Sequence, residues 1–362
     1  MDKPDYVRRM DRLRGLLERK RLRLMLVTDL LNVRYLCGFT GSNGILLVCP
    51  GEVVFFTDGR YQEQAPGEVV GCRVLIVKGA RFLNSVITEI RRAAPRRLGI
   101  EARNLTVATH NFLGKRLRNS TNIQPTVDLV EQLRARKDAW ELARIHAAAR
   151  IADRAFKYIL GRLRAGVTEI GIRRDLDDFM LRNGAEKPSF ESIVLFGARS
   201  SLPHGQPGVR RLRKGDWILM DFGAVVDGYH SDMTRTVVKG RATPEMKKTY
   251  NLVLRAQTAA IRAMRAGARN AAIDEAARSV FRRAGRDGDF MHGLGHSVGL
   301  DFHEEPHLGS RSKDRLIRGN VLTVEPGLYV SDWGGIRIED MVVVEKSGTK
   351  RLTRSPRRLI EV

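Results

Sequence analysis

Two acidic residues, Asp221 and Asp232, lie on the two arms of a predicted β-hairpin whose turn is Asp227-Gly228. Because Asp-Gly is typical of a two-residue turn, counting outward places Asp221 opposite Thr234 and diagonal to Asp232. The two carboxylates can then converge on one face, where they would repel one another and resist ionisation. A bound cation would relieve both effects. The alternative is two exposed acids on a wet hairpin, but residues 218–222 around Asp221 are otherwise apolar, as expected for a buried strand.

A second pair of predicted strands carries two further carboxylates. Glu325 ends the apolar run 321–324, and Glu339 lies within the predicted strand 336–344. Side chains alternate along a strand, so Arg337 shares a face with Glu339. A salt bridge would account for Arg337 and Glu339 taken alone, but the second strand pair repeats the arrangement of the first.

A glycine-rich segment, 291–306, separates the two strand pairs and contains His292, His296 and His303. Its glycines favour close approach of the backbone over a helix. Three of the eight histidines of the chain in so short a segment indicate a site. Four carboxylates and one imidazole suit two divalent ions such as manganese, cobalt or zinc, whereas a structural zinc site would favour cysteine.

The order and local context of these residues resemble the five metal ligands of the pita-bread metallopeptidases. The matching residues are Asp221, Asp232, His296, Glu325 and Glu339, in the segments 221–224, 227–236, 292–304, 323–329 and 335–340. Residues 202–205, Leu-Pro-His-Gly, look like the substrate-site histidine motif of that family. Residues 35–44 and 56–65 look like the creatinase/prolidase N-terminal domain. The resemblance covers essentially the whole chain and is to the Xaa-Pro aminopeptidases and Xaa-Pro dipeptidases (prolidases).

The resemblance implies a metal-dependent exopeptidase that hydrolyses the N-terminal Xaa-Pro bond through a hydroxide bridging two divalent ions, manganese first, with cobalt or zinc as alternatives. It implies that Asp232 and Glu339 bridge the ions, that Asp221 completes the shell of one, and that His296 and Glu325 complete the other. It also implies catalytic roles. Glu325 would shuttle the proton, His303 would stabilise the oxyanion, His204 and His292 would line the proline side of the cleft, and Arg337 and Tyr329 would support the ligands.

Three other functions share this fold. Methionine aminopeptidases lack the N-terminal domain, and creatinase lacks the metal ligands, so both fit the sequence less well. The remaining alternative is a non-catalytic pita-bread-fold protein with a basic surface that acts as a chaperone or RNA partner. The intact ligand set favours the enzyme.

The elements that must position these residues follow an α/β pattern. Short apolar strands alternate with helical segments in the first third of the chain, and strand hairpins with helices follow. We expect a small α/β creatinase/prolidase-like N-terminal domain over 1–126 and a pita-bread catalytic domain over 127–362. A single long helix is predicted from about residue 127 to 163, capped by Asp128 and followed by Gly166.

The composition of the chain indicates where the protein acts and which partners it binds. The chain has 362 residues, and no apolar run is long enough for a membrane span. The charged N-terminus lacks the apolar core of a secretory signal, and three cysteines without a CxxC spacing fit a reducing cytosol. The net charge of +23 suggests nucleic acid, but the arginines are dispersed and no aromatic-interleaved basic motif accompanies them. We therefore expect a cytoplasmic enzyme, a homodimer by resemblance, whose partners are proline-containing peptides and not nucleic acid or membrane.

Overall fold

The computed structural model describes residues 3–79 and 82–362. These form two compact units, Met1–Arg134 and Ala135–Val362, which we call the N-terminal and the C-terminal unit. The domain limits 1–126 and 127–362 stay a prediction. The mixed α/β character expected from the sequence is confirmed in both units.

The N-terminal unit contains six α-helices and six strands among its described residues. In chain order they are α1 (Tyr6–Arg19), β1 (Leu24–Val27), α2 (Leu30–Cys37), β2 (Ile45–Val48), β3 (Val53–Asp58), α3 (Gln64–Glu68), β4 (Arg73–Val77), α4 (Phe82–Ala93), β5 (Arg97–Glu101), α5 (Val107–Leu117), β6 (Asn122–Thr126) and α6 (Glu131–Arg134).

The six strands form one mixed sheet in the order β4-β3-β2-β1-β5-β6. The pairs β1–β2 and β2–β3 are antiparallel, and the pairs β3–β4, β1–β5 and β5–β6 are parallel. Apolar side chains of the sheet pack with those of α4 and α5 in a buried core that includes Leu26, Phe56, Ile90, Leu98 and Leu113.

The C-terminal unit carries the predicted site. In chain order its elements are α7 (Ala139–Leu160), α8 (Glu169–Arg182), β7 (Ile193–Phe196), β8 (Trp217–Phe222), β9 (Val225–Val226), β10 (Tyr229–His230), β11 (Met233–Val238), α9 (Pro244–Ala263), α10 (Asn270–Arg282), β12 (Gly295–Ser297), β13 (Glu304–Leu308), β14 (Val321–Val324), β15 (Gly327–Val330), β16 (Gly334–Arg337), β17 (Asp340–Glu345) and β18 (Gly348–Arg351).

This unit is built from two similar halves, each a helix pair packed on an antiparallel sheet. In the first half, α7 and α8 cover the sheet β11-β8-β7, with Phe156 and Leu176 in the shared core. In the second half, α9 and α10 cover the sheet β13-β12-β14-β17-β18, with Val253 and Phe281 in the core. The buried residues of α7 recur every three or four positions, as expected for a helix with one apolar face.

The predicted helix from residue 127 to 163 is wrong at its start. Asp128 has a φ of 56°, which is outside the helical region, and only the short α6 precedes α7. The long helix begins after Asp138, whose carboxylate accepts a hydrogen bond from Glu141 N, while the Glu141 carboxylate accepts one from Asp138 N. This reciprocal capping box places the cap of α7 at Asp138, ten residues after the predicted cap Asp128.

Two long strands predicted from the sequence are each divided. The predicted strand 229–238 becomes β10 and β11, and the predicted strand 336–344 becomes β16 and β17. Each break falls at a predicted metal ligand, Asp232 in the first case and Glu339 in the second. In the second case, Glu339 N donates to Thr234 O, which belongs to β11, so the backbone leaves its own hairpin at this residue.

Within the described part of the chain, no helix combines the length and the apolar character needed to cross a bilayer. Cys37, Cys49 and Cys72 are free thiols.

Candidate active site

The predicted site residues surround one cavity of about 570 Å³ in the C-terminal unit. Its walls include Asp221, Asp232, His296, Glu325 and Glu339, together with His204, His292, His303 and Arg337. The structure therefore brings together the residues that the sequence motifs singled out, although these lie up to 135 positions apart in the chain.

The first hairpin presents Asp221 and Asp232 through the predicted register. Asp221 pairs with Thr234, as expected, and Asp227-Gly228 forms the turn with positive φ at both residues. Between the two acids the strands come unusually close. A Cβ on Gly223 would lie 1.8 Å from Ser231 O, so only glycine permits this approach.

In the second half, Glu325 and Glu339 also lie at an interruption between paired strands. The register that joins Val324 to Asp340 in β14–β17 continues into β15–β16, where Gly327 pairs with Arg337. Glu325 and Glu339 occupy the opposed positions between these two pairings and belong to neither ladder. Each half thus interrupts its hairpin at a carboxylate of the cavity wall, Asp232 in the first half and Glu325 and Glu339 in the second.

His296 enters the same space from β12. Its Nε2 lies 3.4 Å from Glu325 Oε1 and 3.6 Å from Asp232 Oδ2. Candidate ligand atoms of Asp232, His296 and Glu339 all lie within 4.8 Å of one another. Burial lowers the pKa of His296 to about 3, so the ring is neutral. Its Nδ1 lies 3.1 Å from Ser297 O, and a hydrogen on Nδ1 leaves the Nε2 lone pair directed at the acids.

Several carboxylate oxygens of the site lack hydrogen-bond partners. Among the residues that the structure describes, Asp221 Oδ1, Asp232 Oδ1 and Glu339 Oε1 are buried without a hydrogen-bond partner. Burial, reinforced by the neighbouring carboxylates, raises the pKa values of Asp232 and Glu339 well above their ordinary range. Burial also raises the pKa of Glu325, to about 7.

Unbonded carboxylate oxygens normally make a buried site unfavourable. Here several of them face one another beside a neutral imidazole, which is the donor set that divalent cations of intermediate hardness bind. The residues therefore fit a metal centre.

Arg337 ties the two halves together beneath the acids. It forms a buried ion pair with Asp221, and its Nε donates to Thr234 Oγ1 at 2.9 Å. Thr234 Oγ1 in turn donates to Glu339 Oε2 at 2.7 Å. The guanidinium also donates to Tyr329 Oη at 2.9 Å. One cation thus orients a candidate ligand from each half.

The three further histidines occupy different parts of the cavity wall. His292 Nδ1 faces Gly293 O at 2.8 Å, so its Nε2 is free to accept from Tyr329 Oη at 2.9 Å. The ring of His303 lies against that of His296, with centroids 3.7 Å apart. The His303 side chain is also open to the cavity. His204 is an exposed wall residue that follows Pro203.

Several wall residues were not singled out from the sequence. Phe190, Ile193 and Phe302 supply apolar wall, and His307 lies near His303 with ring centroids 5.9 Å apart. Phe190 and Ile193 stand in no recognisable motif, so no sequence signal marked them. His307 falls one residue beyond the segment 291–306, and a search for a fourth clustered histidine would have found it.

Comparison with protein families yields two matches. Residues 143–346 match the model of Metallopeptidase family M24, and residues 9–136 match that of the Creatinase/Prolidase N-terminal domain.

Individual relatives match over nearly the full chain. The Xaa-Pro dipeptidase of Pyrococcus furiosus is 32% identical over 97% of this chain and 99% of its own. A solved structure of the Xaa-Pro dipeptidase from Bacillus anthracis gives a TM-score of 0.95 at 36% identity, covering 99% of this chain and 100% of that one. The X-Pro aminopeptidase from Thermotoga maritima gives a TM-score of 0.90 at 33% identity, covering 97% and 100%.

Proposed function

The chain belongs to Metallopeptidase family M24 and is a peptidase, and we propose that it hydrolyses the N-terminal Xaa-Pro bond of dipeptides or longer peptides with two divalent metal ions. Its fold is a creatinase/prolidase-like N-terminal domain followed by a pita-bread catalytic domain. The observation that carries the proposal is the buried group of carboxylates, with unbonded oxygens, gathered around the neutral His296.

The proposed ligands are Asp221, Asp232, His296, Glu325 and Glu339. Asp232 and Glu339 would be shared between the ions, Asp221 would belong to one, and His296 and Glu325 to the other. When bound, the ions would lower the pKa of the attacking water and polarise the scissile carbonyl. We propose manganese as the metal in the cell, with cobalt or zinc as alternatives.

The remaining residues would handle protons and orient the substrate. Glu325 would accept a proton from the attacking water and return it to the leaving proline nitrogen. His303 would donate a hydrogen bond to the oxyanion, which its place beside His296 at the open cavity supports. His204 and His292 would line the proline side, and Arg337 and Tyr329 would hold His292 and the ligands in place.

The preference for proline rests on the relatives that bear that name and on the chemistry of the bond. A proline nitrogen has no hydrogen, so a site that binds substrate without this donor can accept a bond that other peptidases handle poorly. The protein would act in the cytoplasm, as a homodimer. A non-catalytic binding protein with a basic surface is not favoured, because all five candidate ligands are in place.

A single assay tests the proposal. Metal-stripped protein is reloaded with manganese, cobalt or zinc and given Ala-Pro, Ala-Pro-Ala, Ala-Ala and Ala-Ala-Ala. We expect turnover to depend on metal and to strongly favour the proline members of each pair. Comparable turnover of the two series would reject the proline assignment without rejecting the metal site. The ratio between Ala-Pro and Ala-Pro-Ala separates a dipeptidase from an aminopeptidase.

A further inference from the structure

Lys137 and Glu304 form a buried ion pair that the proposed chemistry does not use. Lys137 Nζ lies 3.0 Å from Glu304 Oε2 and 2.9 Å from Ser297 Oγ. The two charged side chains are 0% and 6% exposed. Because removing two charges from water offsets most of their mutual attraction, such a pair contributes little net stability. A role in holding specific groups in place is the better explanation.

The two acceptors of Lys137 stand at the two ends of the segment that joins the candidate ligand His296 to His303. Ser297 directly follows His296, and Glu304 directly follows His303. Ser297 and Glu304 are also paired across β12 and β13. Lys137 therefore bridges the ends of the loop between the two histidines.

The loop itself closes around the Glu304 carboxylate. Asp301 N donates to Glu304 Oε1 at 3.2 Å. A Cβ on Gly299 would lie 2.5 Å from Glu304 Oε2, which shows how closely the backbone passes. Ser297 Oγ donates to Val321 O at 2.8 Å, which anchors this end of the loop to β14.

The histidines point away from the two residues that Lys137 holds. Ser297 and Glu304 turn to Lys137, whereas His296 and His303, the residues directly before them in the chain, turn to the cavity. Both rings do line the cavity, in contact with each other. A displacement of the Glu304 carboxylate would move His303 first, because the two residues are adjacent.

We propose that Lys137 and Glu304 are positioning residues that hold His303 in its place for catalysis. This inference rests on the proposed function, because the role of His303 belongs to it. Neither side chain touches the substrate in this account. Lys137 acts by neutralising and anchoring Glu304, and Glu304 acts by fixing the backbone of the loop that ends at His303.

The test uses the full-length, metal-loaded enzyme and an Xaa-Pro dipeptide, with Glu304→Gln and Lys137→Met as variants. We expect each to lower kcat by about 10- to 100-fold, the usual effect of losing a supporting contact, with a much smaller change in KM. Metal content should be unchanged. The double variant Lys137→Met/Glu304→Met removes both charges, so its melting temperature should recover while its kcat stays low. Recovery of kcat together with stability would overturn the proposal.

A double-mutant cycle with His303→Ala decides whether the pair acts through that ring. If it does, Glu304→Gln should lower kcat little further once His303 is absent. A full additional loss would overturn the inference. Histidine side-chain NMR spectra of the metal-free protein give a reading independent of turnover. The His303 signals should shift in Glu304→Gln, and unchanged signals would also reject the proposal.

Asp216→Asn is a matched control. Asp216 pairs with Arg210 at 2.9 Å and stands before the start of β8, at the opposite end of that strand from Asp221. It should lower the melting temperature without lowering kcat. Native enzyme that fails to cleave any Xaa-Pro peptide would reject the proposed function and this inference together. Active native enzyme with normal kcat in both single variants would reject the inference alone.

Discussion

Both units of the protein bury carboxylates, but they differ in whether the carboxylate oxygens receive hydrogen bonds. In the N-terminal unit, Glu101 accepts hydrogen bonds from Thr28 N at 2.6 Å, Asp29 N at 2.8 Å and Asn32 Nδ2 at 2.7 Å. In the C-terminal unit, Asp232 and Glu339 each keep a buried oxygen without a partner among the described residues. A buried acid whose oxygens accept hydrogen bonds from the protein has a structural role. Buried acids whose oxygens lack donors are candidates for binding a ligand.

The same contrast separates two consecutive residues. Asp340 directly follows Glu339 and is equally buried, but it accepts from Arg235 Nη2 and Thr353 Oγ1, both at 2.7 Å, and from Gln257 Nε2 at 3.2 Å. Because successive side chains point to opposite faces, one acid is turned to the cavity and the other to a set of donors. Burial alone therefore does not identify a metal ligand.

The largest effect should follow removal of an unsatisfied acid. Asp232→Ala or Glu339→Ala should reduce peptidase activity to background while the chain stays folded, since the metal centre would lose a shared ligand. Chelation of the native enzyme should do the same, and added manganese should restore activity. Metal content and circular dichroism of the same samples provide the controls. Full activity in rigorously metal-free protein would contradict this account.

His303→Ala should have the next largest effect. Loss of one oxyanion donor lowers kcat by about 10²–10³-fold. KM should change much less, because the contact strengthens chiefly in the transition state. Metal stoichiometry should be unchanged.

A purely structural His303 gives a different result. It would pack beside Phe302 and Pro306, and its removal would lower the melting temperature and leave kcat near normal. Loss of metal from the variant would instead mean that His303, and not His296, is the ligand.

Glu339→Gln and Asp340→Asn should change the stability of the metal-free protein in opposite directions. Burial and the neighbouring carboxylates disfavour the ionised form of Glu339, so a glutamine, which cannot ionise, should raise the melting temperature of metal-free protein. Asp340→Asn leaves the buried Arg235 without its charged partner, which typically costs about 3–5 kcal/mol of unfolding free energy. Calorimetry of both variants without metal measures the difference. A lower melting temperature for Glu339→Gln would mean that the fold itself satisfies this acid.

The site could be predicted from the sequence more completely than the elements around it. Asp-Gly turn chemistry fixed the register of the first hairpin, including the pairing of Asp221 with Thr234. The break of that hairpin at Asp232 could not be seen, because residues 229–238 read as one continuous strand. At the break Gly223 passes close to Ser231 O, a contact across the hairpin that the alternation of apolar and polar residues along one strand does not encode.

For the long helix, the sequence predicted the type of element correctly but not where it begins. The apolar pattern around α7 was read correctly, but its start was misplaced because Asp128 and Asp138 are both acceptable caps in sequence. Both are followed three residues later by a glutamate, Glu131 and Glu141, so the sequence pattern alone does not choose between them. In the structure the capping box at the start of α7 is formed by Asp138 and Glu141. Likewise, the partners of Arg337 could not be chosen from alternation alone. The sequence placed it beside Glu339, whereas the structure pairs it with Asp221 from the other half.

The smallest predicted effect concerns the satisfied acid, Glu101. Burial raises its pKa from 4.5 to about 6 against the opposing effect of its donors. A folded-state pKa above the unfolded one means that the stabilising contribution is complete below about pH 4.5 and is lost as the pH rises through about 6. The stability advantage of native protein over Glu101→Gln, which cannot titrate, should therefore shrink by about 2 kcal/mol between about pH 4 and pH 7. Urea denaturation of both proteins across this range measures it, and kcat/KM should be unchanged.

Glu52→Gln in the same unit supplies the control of opposite sign. Glu52 Oε1 accepts a hydrogen bond from Arg73 Nε at 2.7 Å, and this hydrogen bond lowers the pKa of Glu52. Its contribution is therefore present above its unfolded pKa and lost as the pH falls, so the advantage of native protein over Glu52→Gln should grow with rising pH. If the Glu101 difference also grew with pH, its donors would outweigh burial. The contrast between the two units would then be sharper, since the satisfied acid would be more readily ionised than an exposed one.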